Sequence, residues 1–323
     1  MESALIYGVA AFIMTAIITP LLIPMLKRMK FGQSIRTEGP ESHMVKTGTP
    51  TMGGLSFLAT IMLLLIVLLF TLPHYNTIFL LMLVTLSFGL IGFIDDYLIV
   101  VKKVNEGLSS KQKFLAQVIV AIIFYALAQF AGLHEFDNAI TIPVFNFDIP
   151  LSYAYVLFVI FWLVGFSNAV NLTDGLDGLA TGLSMIAFAG FMVIAHIYSN
   201  FEVFIFCAIV IGSLGGFLIY NKNKAKLFMG DTGSLALGGM IASVSILLGA
   251  EVVLLIIGLM FVIETASVML QVAYFKKTEK RIFKMTPIHH HFELSGWSEW
   301  KIAIVFWIVG ILTAILGVWI EVL

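Results

Sequence analysis

Ten apolar runs, each near the length needed to cross a bilayer, constrain this chain more than any other feature. They cover 4–26, 52–72, 77–94, 114–132, 152–170, 178–198, 202–220, 234–250, 252–274 and 302–322. A membrane-spanning helix needs about 20 predominantly apolar residues. Inside hydrocarbon every backbone N–H and C=O must be satisfied within the protein, so runs of this length predict helices. No link between them is long enough for a soluble domain, and 1–323 reads as one integral membrane domain. The first run has no small-residue cleavage site and no basic segment ahead of it, and is expected to remain as a span. Hydrophobic residues make up 60% of the chain and charged residues 11%, with a mean hydropathy of +1.04. Soluble domains carry about 25% charged residues. That balance excludes a water-facing globule, a disordered chain, a collagen and a nucleic-acid binder. The one cysteine, Cys207, lies in an apolar run and excludes a disulfide scaffold.

The placement of charge orients the spans. Lys27, Arg28, Lys30, Arg36 and Lys46 follow the first run, and Lys102, Lys103, Lys111 and Lys113 follow the third. Lys222, Lys224 and Lys226 follow the seventh, and Lys276, Lys277, Lys280, Arg281, Lys284 and Lys301 follow the ninth. Those are all 18 Lys and Arg of the chain, and the even-numbered links hold none. Basic loops stay on the cytoplasmic side, so the odd links are expected there and both termini outside. In the one long outer link, residues 139–149 alternate around a turn and read as a small extracytoplasmic β-hairpin. The fold class expected is an all-α membrane protein of about ten spans with a cytoplasmic active-site cleft.

Polar residues other than Lys and Arg gather at the same ends of the spans. Asp95 and Asp96 close the third run. Adjacent carboxylates at a membrane rim repel one another and lose hydration, which suits a Mg²⁺ site or a general base. Asn168, Asn171, Asp174 and Asp177 recur every three residues after the fifth run, a spacing that would keep neighbours close on a helix. Gly230 and Gly233 flank Asp231 just before the eighth run, where glycine permits close approach and a helix start offers N–H groups to phosphate. Asp231-Thr232-Gly233-Ser234 also occurs in aspartic proteases, but that fold is soluble and all-β, and this chain is neither.

His289, His290 and His291 are consecutive. Their side chains must diverge on a helix, so a shared zinc is awkward and hydrogen bonding to phosphate suits them better. Lys46 through Gly54 supplies a lysine, hydroxyls and small residues suited to a phosphate neighbour. Glu264, inside the ninth run, predicts a helix break, a partner or a wet groove. Metal-suited acids and phosphate-suited groups on one membrane face point to phosphate chemistry on a lipid that stays in the bilayer.

Five strings carry a family resemblance. They are Lys46 to Gly54, Asp95-Asp96-Tyr97, Asn168 to Leu179 (NAVNLTDGLDGL), Phe228 to Ser234 (FMGDTGS) and Pro287 to Glu293 (PIHHHFE). In order and wording they resemble the bacterial phospho-N-acetylmuramoyl-pentapeptide transferases. The three-histidine string separates these from relatives that transfer N-acetylglucosamine-1-phosphate. The resemblance implies a Mg²⁺-dependent homodimer in the bacterial cytoplasmic membrane. It would transfer phospho-MurNAc-pentapeptide from UDP-MurNAc-pentapeptide to undecaprenyl phosphate, giving lipid I and UMP.

Carried over by position, the resemblance implies Asp231 as the Mg²⁺ ligand, with Asp95 and Asp96 near the lipid phosphate and Asp95 as base. Phe228 would stack on uracil, with Asn221 and Asp177 in the nucleoside pocket and Asn171, Asp174 and Gly230 along the same cleft. Lys46, Thr51, Lys111, His289, His290 and His291 would surround the diphosphate and sugar, with His290 taking part in catalysis. One position departs from the family pattern. Ile99 stands where many members carry a lysine, and Lys102 or Lys103 is the expected substitute. A sister transferase using another UDP-N-acetylhexosamine and a secondary transporter are the rival readings.

Overall fold

The computed structural model describes residues 2–29, 48–72, 76–101, 107–132, 138–145 and 147–323. Lys30, Arg36, Lys46, Lys102 and Lys103 lie outside the described residues. The described chain forms twelve helices and one two-stranded sheet. In order they are α1 (Glu2–Arg28), α2 (Gly54–Thr71), α3 (Asn76–Val101), α4 (Ser110–Ala131), β1 (Ala139–Ile142), β2 (Phe147–Pro150), α5 (Tyr155–Thr173), α6 (Leu179–Ile197), α7 (Phe201–Asn221), α8 (Gly230–Leu247), α9 (Glu251–Ile257), α10 (Leu259–Thr278), α11 (Ile288–Glu293) and α12 (Glu299–Val322). Ten of these helices are long and apolar enough to span a membrane: α1 to α8, α10 and α12. The chain is a multi-pass membrane protein.

The expected hairpin is present. β1 and β2 pair antiparallel, with Ala139 opposite Pro150 and Ile142 opposite Phe147.

Four expectations about element ends need correction. The run read as one span over 252–274 is broken at Gly258 into α9 and α10. α3 continues through Asp95 and Asp96 to Val101, so the acids lie within a helix rather than closing it. α4 begins at Ser110 because Ser109 and Gln112 form a capping box, each side chain bonding the other's backbone N–H. Lys111 and Lys113 therefore stand on a helix, not in a link. α5 ends at Thr173 with Asp174 as its C-cap, so the Asn168–Asp177 series does not run along one helix. Glycines at 175 and 178 disfavour further helix, and Gly178 takes φ +75°.

α8 is the buried axis of the bundle; all of Thr232–Leu247 is buried. Its first turns contain Gly233, Ser234, Ala236, Gly238 and Gly239, small residues that let neighbouring backbones approach without a hydrophobic driving force between helices. α3 runs along it so closely that a methyl on Gly92 would overlap the Asp231 carbonyl. That contact sets the two acidic segments side by side. α4 and α10 lie at the periphery, with Ile119, Ile122, Met269 and Leu270 exposed on the bundle surface.

Candidate active site

At the end of the bundle where the basic links lie, the start of α8 meets the last turns of α3, the first turn of α4 and the end of α5. Asp231 stands in the first turn of α8, following Gly230. Gly230 holds φ +74°, and a side chain there would strike Asp96 and Thr51. The 48–54 segment clips this corner. Phe228 N–H donates to the Pro50 carbonyl at 2.9 Å, Gly53 N–H to the Phe228 carbonyl at 2.8 Å and Gly54 N–H to the Met229 carbonyl at 2.9 Å.

One ammonium bridges two of the acids. Lys113 Nζ donates to Asp95 Oδ2 at 3.0 Å and to Asp231 Oδ2 at 2.6 Å. Asp231 Oδ1 accepts from Asn171 Nδ2 at 2.8 Å, and Asp95 Oδ1 from Leu108 N–H at 2.7 Å. Asn171 also reaches Ser234 Oγ at 2.8 Å. The Asp231 side chain keeps 25% exposure while that of Asp95 keeps 6%, so Asp231 is the more accessible of the two acids.

Asp96 faces the other way. Its Oδ1 accepts from Asp231 N–H at 3.1 Å, and its Oδ2 from Thr232 N–H at 2.9 Å and Thr232 Oγ1 at 2.6 Å. These are the orphan donors of a helix start, and a carboxylate there also favours the helix dipole. Asp96 thus holds α8 to α3 and aims Asp231. Adjacent residues on one helix serve different tasks because their side chains leave it in different directions.

Asp174, half-buried at the end of α5, is held protonated to a pH well above the ordinary carboxylate range. Loss of hydration is the main cause, followed by the nearby charges of Asp231, Asp96 and Asp177.

The sequence-predicted residues divide into three groups. Asp95, Asp231, Asn171 and Gly230 converge with Asp96 and Asp174 at the acidic corner, and Thr51 is buried against Gly230. Asp177 and Asn221 are buried and shape the 222–228 loop. Asp177 Oδ2 accepts from Ala225 N–H at 2.9 Å, and Asn221 accepts from Thr181 Oγ1 at 2.7 Å and donates to the Leu227 carbonyl at 3.1 Å. Phe228, the last residue of that loop, is half-buried. The histidines form the third group, each with its own partner. His289 Nδ1 lies 3.1 Å from Glu264 Oε1, His290 Nδ1 lies 2.6 Å from Glu293 Oε2, and His291 Nδ1 accepts from Lys284 N–H at 3.1 Å. His289 is fully buried, whereas His290 and His291 keep some exposure. Lys111 is exposed on α4, two residues from the ammonium that enters the acidic corner.

Lys113 was missed as a site residue by the sequence reading. It provides an ammonium beside Asp95 and Asp231, while Lys102 and Lys103, the expected substitutes for the lysine missing at Ile99, lie outside the described residues. Its signal was the Ser109–Gln112 capping box, which fixes the start of α4 and puts Lys113 in the first helical turn facing α3.

The corner suits a hard divalent cation. Among the described residues no three His, Cys, Asp or Glu converge as a closed metal cage. Mg²⁺ does not need one, since it keeps waters and is commonly held by one or two carboxylates plus substrate phosphates. Asp231 offers a partly exposed carboxylate for this.

A model of glycosyl transferase family 4 matches residues 78–249, which contain the whole acidic corner. The phospho-N-acetylmuramoyl-pentapeptide-transferase of Staphylococcus epidermidis is 62% identical over 317 residues, covering 98% of this chain and 99% of that protein. Proteins of the same name from Staphylococcus haemolyticus and Staphylococcus aureus are each 61% identical with the same coverage. With its ten spans and the corner of Asp95, Lys113, Asn171 and Asp231, the chain belongs to glycosyl transferase family 4 and, within it, to the phospho-N-acetylmuramoyl-pentapeptide-transferases.

Proposed function

We propose that the chain transfers phospho-MurNAc-pentapeptide from UDP-MurNAc-pentapeptide to undecaprenyl phosphate, releasing UMP and forming lipid I. The observation that carries this reading is the Asp95–Lys113–Asp231 cluster at a membrane boundary, in a chain 62% identical to enzymes of that name. A polyprenyl phosphate keeps its tail in the bilayer and presents its phosphate at that depth. A nucleotide-sugar arrives from water. The basic links favour the cytoplasm as the facing compartment, and on that reading both termini and the β1–β2 hairpin lie outside the bacterial cytoplasmic membrane. The family resemblance supports a homodimer as the working assembly.

In the proposed reaction an oxygen of the lipid phosphate attacks the β-phosphorus of the UDP-sugar, and the bond to UMP breaks. Asp95 removes the last proton of the lipid phosphate, whose second pKa lies near 6. Lys113 offsets charge where three anionic groups meet, and positioning plus charge neutralisation supply most of the catalysis. Asp231 would hold Mg²⁺, whose chemistry is to neutralise the leaving nucleotide. Asn171 fixes the Asp231 carboxylate. Asn221 and Asp177 shape the loop beside Phe228, where the uracil stacks. Thr51, Gly230 and Asp174 line the cleft, while Lys111, His290 and His291 stand toward the diphosphate and sugar.

A transporter would place its polar groups near the bilayer midplane. Glu264, the acid singled out there, is buried and bonded to His289. The deciding experiment supplies purified enzyme with UDP-MurNAc-pentapeptide, with and without undecaprenyl phosphate and Mg²⁺. Lipid I and UMP should appear together only when all components are present. Turnover of UDP-N-acetylglucosamine instead would make it a sister transferase. A lipid-free release of one UMP per site would replace direct attack by a covalent phospho-enzyme.

A further inference from the structure

α10 carries Glu264, Ser267 and Gln271 buried at spacings that place them on one face, while Met269, Leu270 and Val272 are exposed. Two of the three polar residues hold the segment that follows. Gln271 Oε1 accepts from Ile282 N–H at 2.9 Å and Phe283 N–H at 3.0 Å, and its Nε2 donates to the Phe283 carbonyl at 3.1 Å. Two turns earlier, Glu264 Oε1 lies 3.1 Å from His289 Nδ1. Both members of that pair have no exposed surface.

Beyond His289 stands Gly175, in the turn between Asp174 and Asp177. A methyl on Gly175 would overlap Nε2 and Cε1 of the ring. His289 is therefore wedged between a carboxylate inside a span and the floor of the turn that carries two acids of the cleft. Glu264 Oε2 and His289 Nε2 have no hydrogen-bond partner among the described residues. A buried carboxylate–imidazole pair is a poor source of stability, since apolar residues of the same volume often serve as well or better. A carboxylate at Nδ1 does what no apolar residue can: it fixes the orientation and tautomer of the ring.

We propose that Glu264 is a positioning residue for the transferase site. Through Nδ1 it seats His289 under Gly175, and the ring sets the position of the Asp174–Asp177 turn against which the nucleotide-sugar binds. The role rests on the transferase reading above. It predicts an effect on the nucleotide substrate, which meets this turn, and little effect on the lipid substrate.

The test is steady-state kinetics of the full-length enzyme with UDP-MurNAc-pentapeptide and undecaprenyl phosphate, comparing wild type with Glu264→Ala, Glu264→Gln and Glu264→Asp. Thermal melting of each confirms folding. Glu264→Ala should raise KM for the nucleotide substrate about ten-fold, the size expected for a lost hydrogen bond to a charged group, and change KM for the lipid less than about two-fold. Glu264→Gln keeps the length and an accepting oxygen and should stay within about three-fold of wild type. Glu264→Asp cannot reach and should resemble Glu264→Ala. An unchanged nucleotide KM in folded Glu264→Ala overturns the proposal. So does rescue by Asp but not by Gln, which would mean that charge rather than reach matters. If Glu264→Ala does not fold, the order of Gln and Asp decides; failure of all three to fold overturns the proposal in favour of a structural role. A wild type without turnover sinks the transferase reading and this proposal with it. An active wild type matched by Glu264→Ala sinks the role of Glu264 alone.

Discussion

The Lys113 ammonium lies 2.6 Å from Asp231 Oδ2, joining residues 118 positions apart at the mouth of the bundle. The same ammonium also holds Asp95, so among the described residues neither acid is offset by a cation of its own. Removing it leaves two carboxylates facing each other without compensation. Lys113→Ala should lower turnover about 100-fold, the usual size for a lost charge-stabilising group in a reaction site. It should also lower the melting temperature, with part of the loss restored by millimolar Mg²⁺. A variant with normal turnover would remove Lys113 from the reaction.

Asp231→Asn should abolish turnover and the response of melting temperature to Mg²⁺, because an amide is a poor ligand for a hard cation. Nucleotide binding should survive, since the 222–228 loop, held by Asp177 and Asn221, is undisturbed. Titration of the variant with Mg²⁺, read by turnover and by melting, checks both. An unchanged Mg²⁺ optimum would move the metal elsewhere.

Asp96 and Asp95 should separate by stability. Asp96→Ala removes the carboxylate that caps α8 and should cost about 2 kcal/mol, the upper end for a helix cap. Asp95→Asn retains an acceptor for Leu108 N–H and should cost less while still losing turnover. Denaturation of the two variants side by side is the measurement, and equal losses would remove the capping role of Asp96.

Asp174 predicts the pH dependence of stability. Between the ordinary carboxylate range and its raised folded-state value, the folded chain holds more proton than the unfolded one. Its contribution therefore falls as pH rises through that window. Melting temperature should decline less steeply with pH in Asp174→Asn than in wild type. A steeper decline in the variant would show that Asp174 ionises readily in the fold.

Orientation can be tested with the native chain as a silent background, because its one cysteine, Cys207, is buried. A cysteine placed at Lys280 should resist an impermeant thiol reagent in intact cells, and one placed at Asn138 should react. The reverse pattern would put the nucleotide site on the wrong side of the membrane.

Hydropathy, basic-residue placement and the Asn168–Leu179 and Phe228–Ser234 strings were legible in the sequence because each is local. A span is set by the composition of about 20 consecutive residues, and a glycine beside an acid can be read in place. The β1–β2 hairpin was legible for the same reason: alternation and a turn lie within a dozen residues.

The pairing of side chains was not legible, since it depends on how closely helices distant in sequence approach. Asp95 and Asp96 look equivalent in the chain, yet one bonds Lys113 and the other caps α8. That division follows from Gly92 pressing α3 onto the backbone of Asp231. The regular spacing of Asn168, Asn171, Asp174 and Asp177 suggested one helical face, but α5 ends at Thr173 and sends Asp177 to the 222–228 loop. Glu264 announced a buried acid, and only the fold supplied His289 as its partner. The sequence by itself determined the number of apolar spans, the charge asymmetry and the acidic strings at their ends, though neither the break at Gly258 nor the part played by Lys113, because hydrocarbon constrains each segment separately. Tertiary structure decided that Lys113 joins Asp95 to Asp231 and that Asp96 holds the start of α8, because those roles arise from packing between segments.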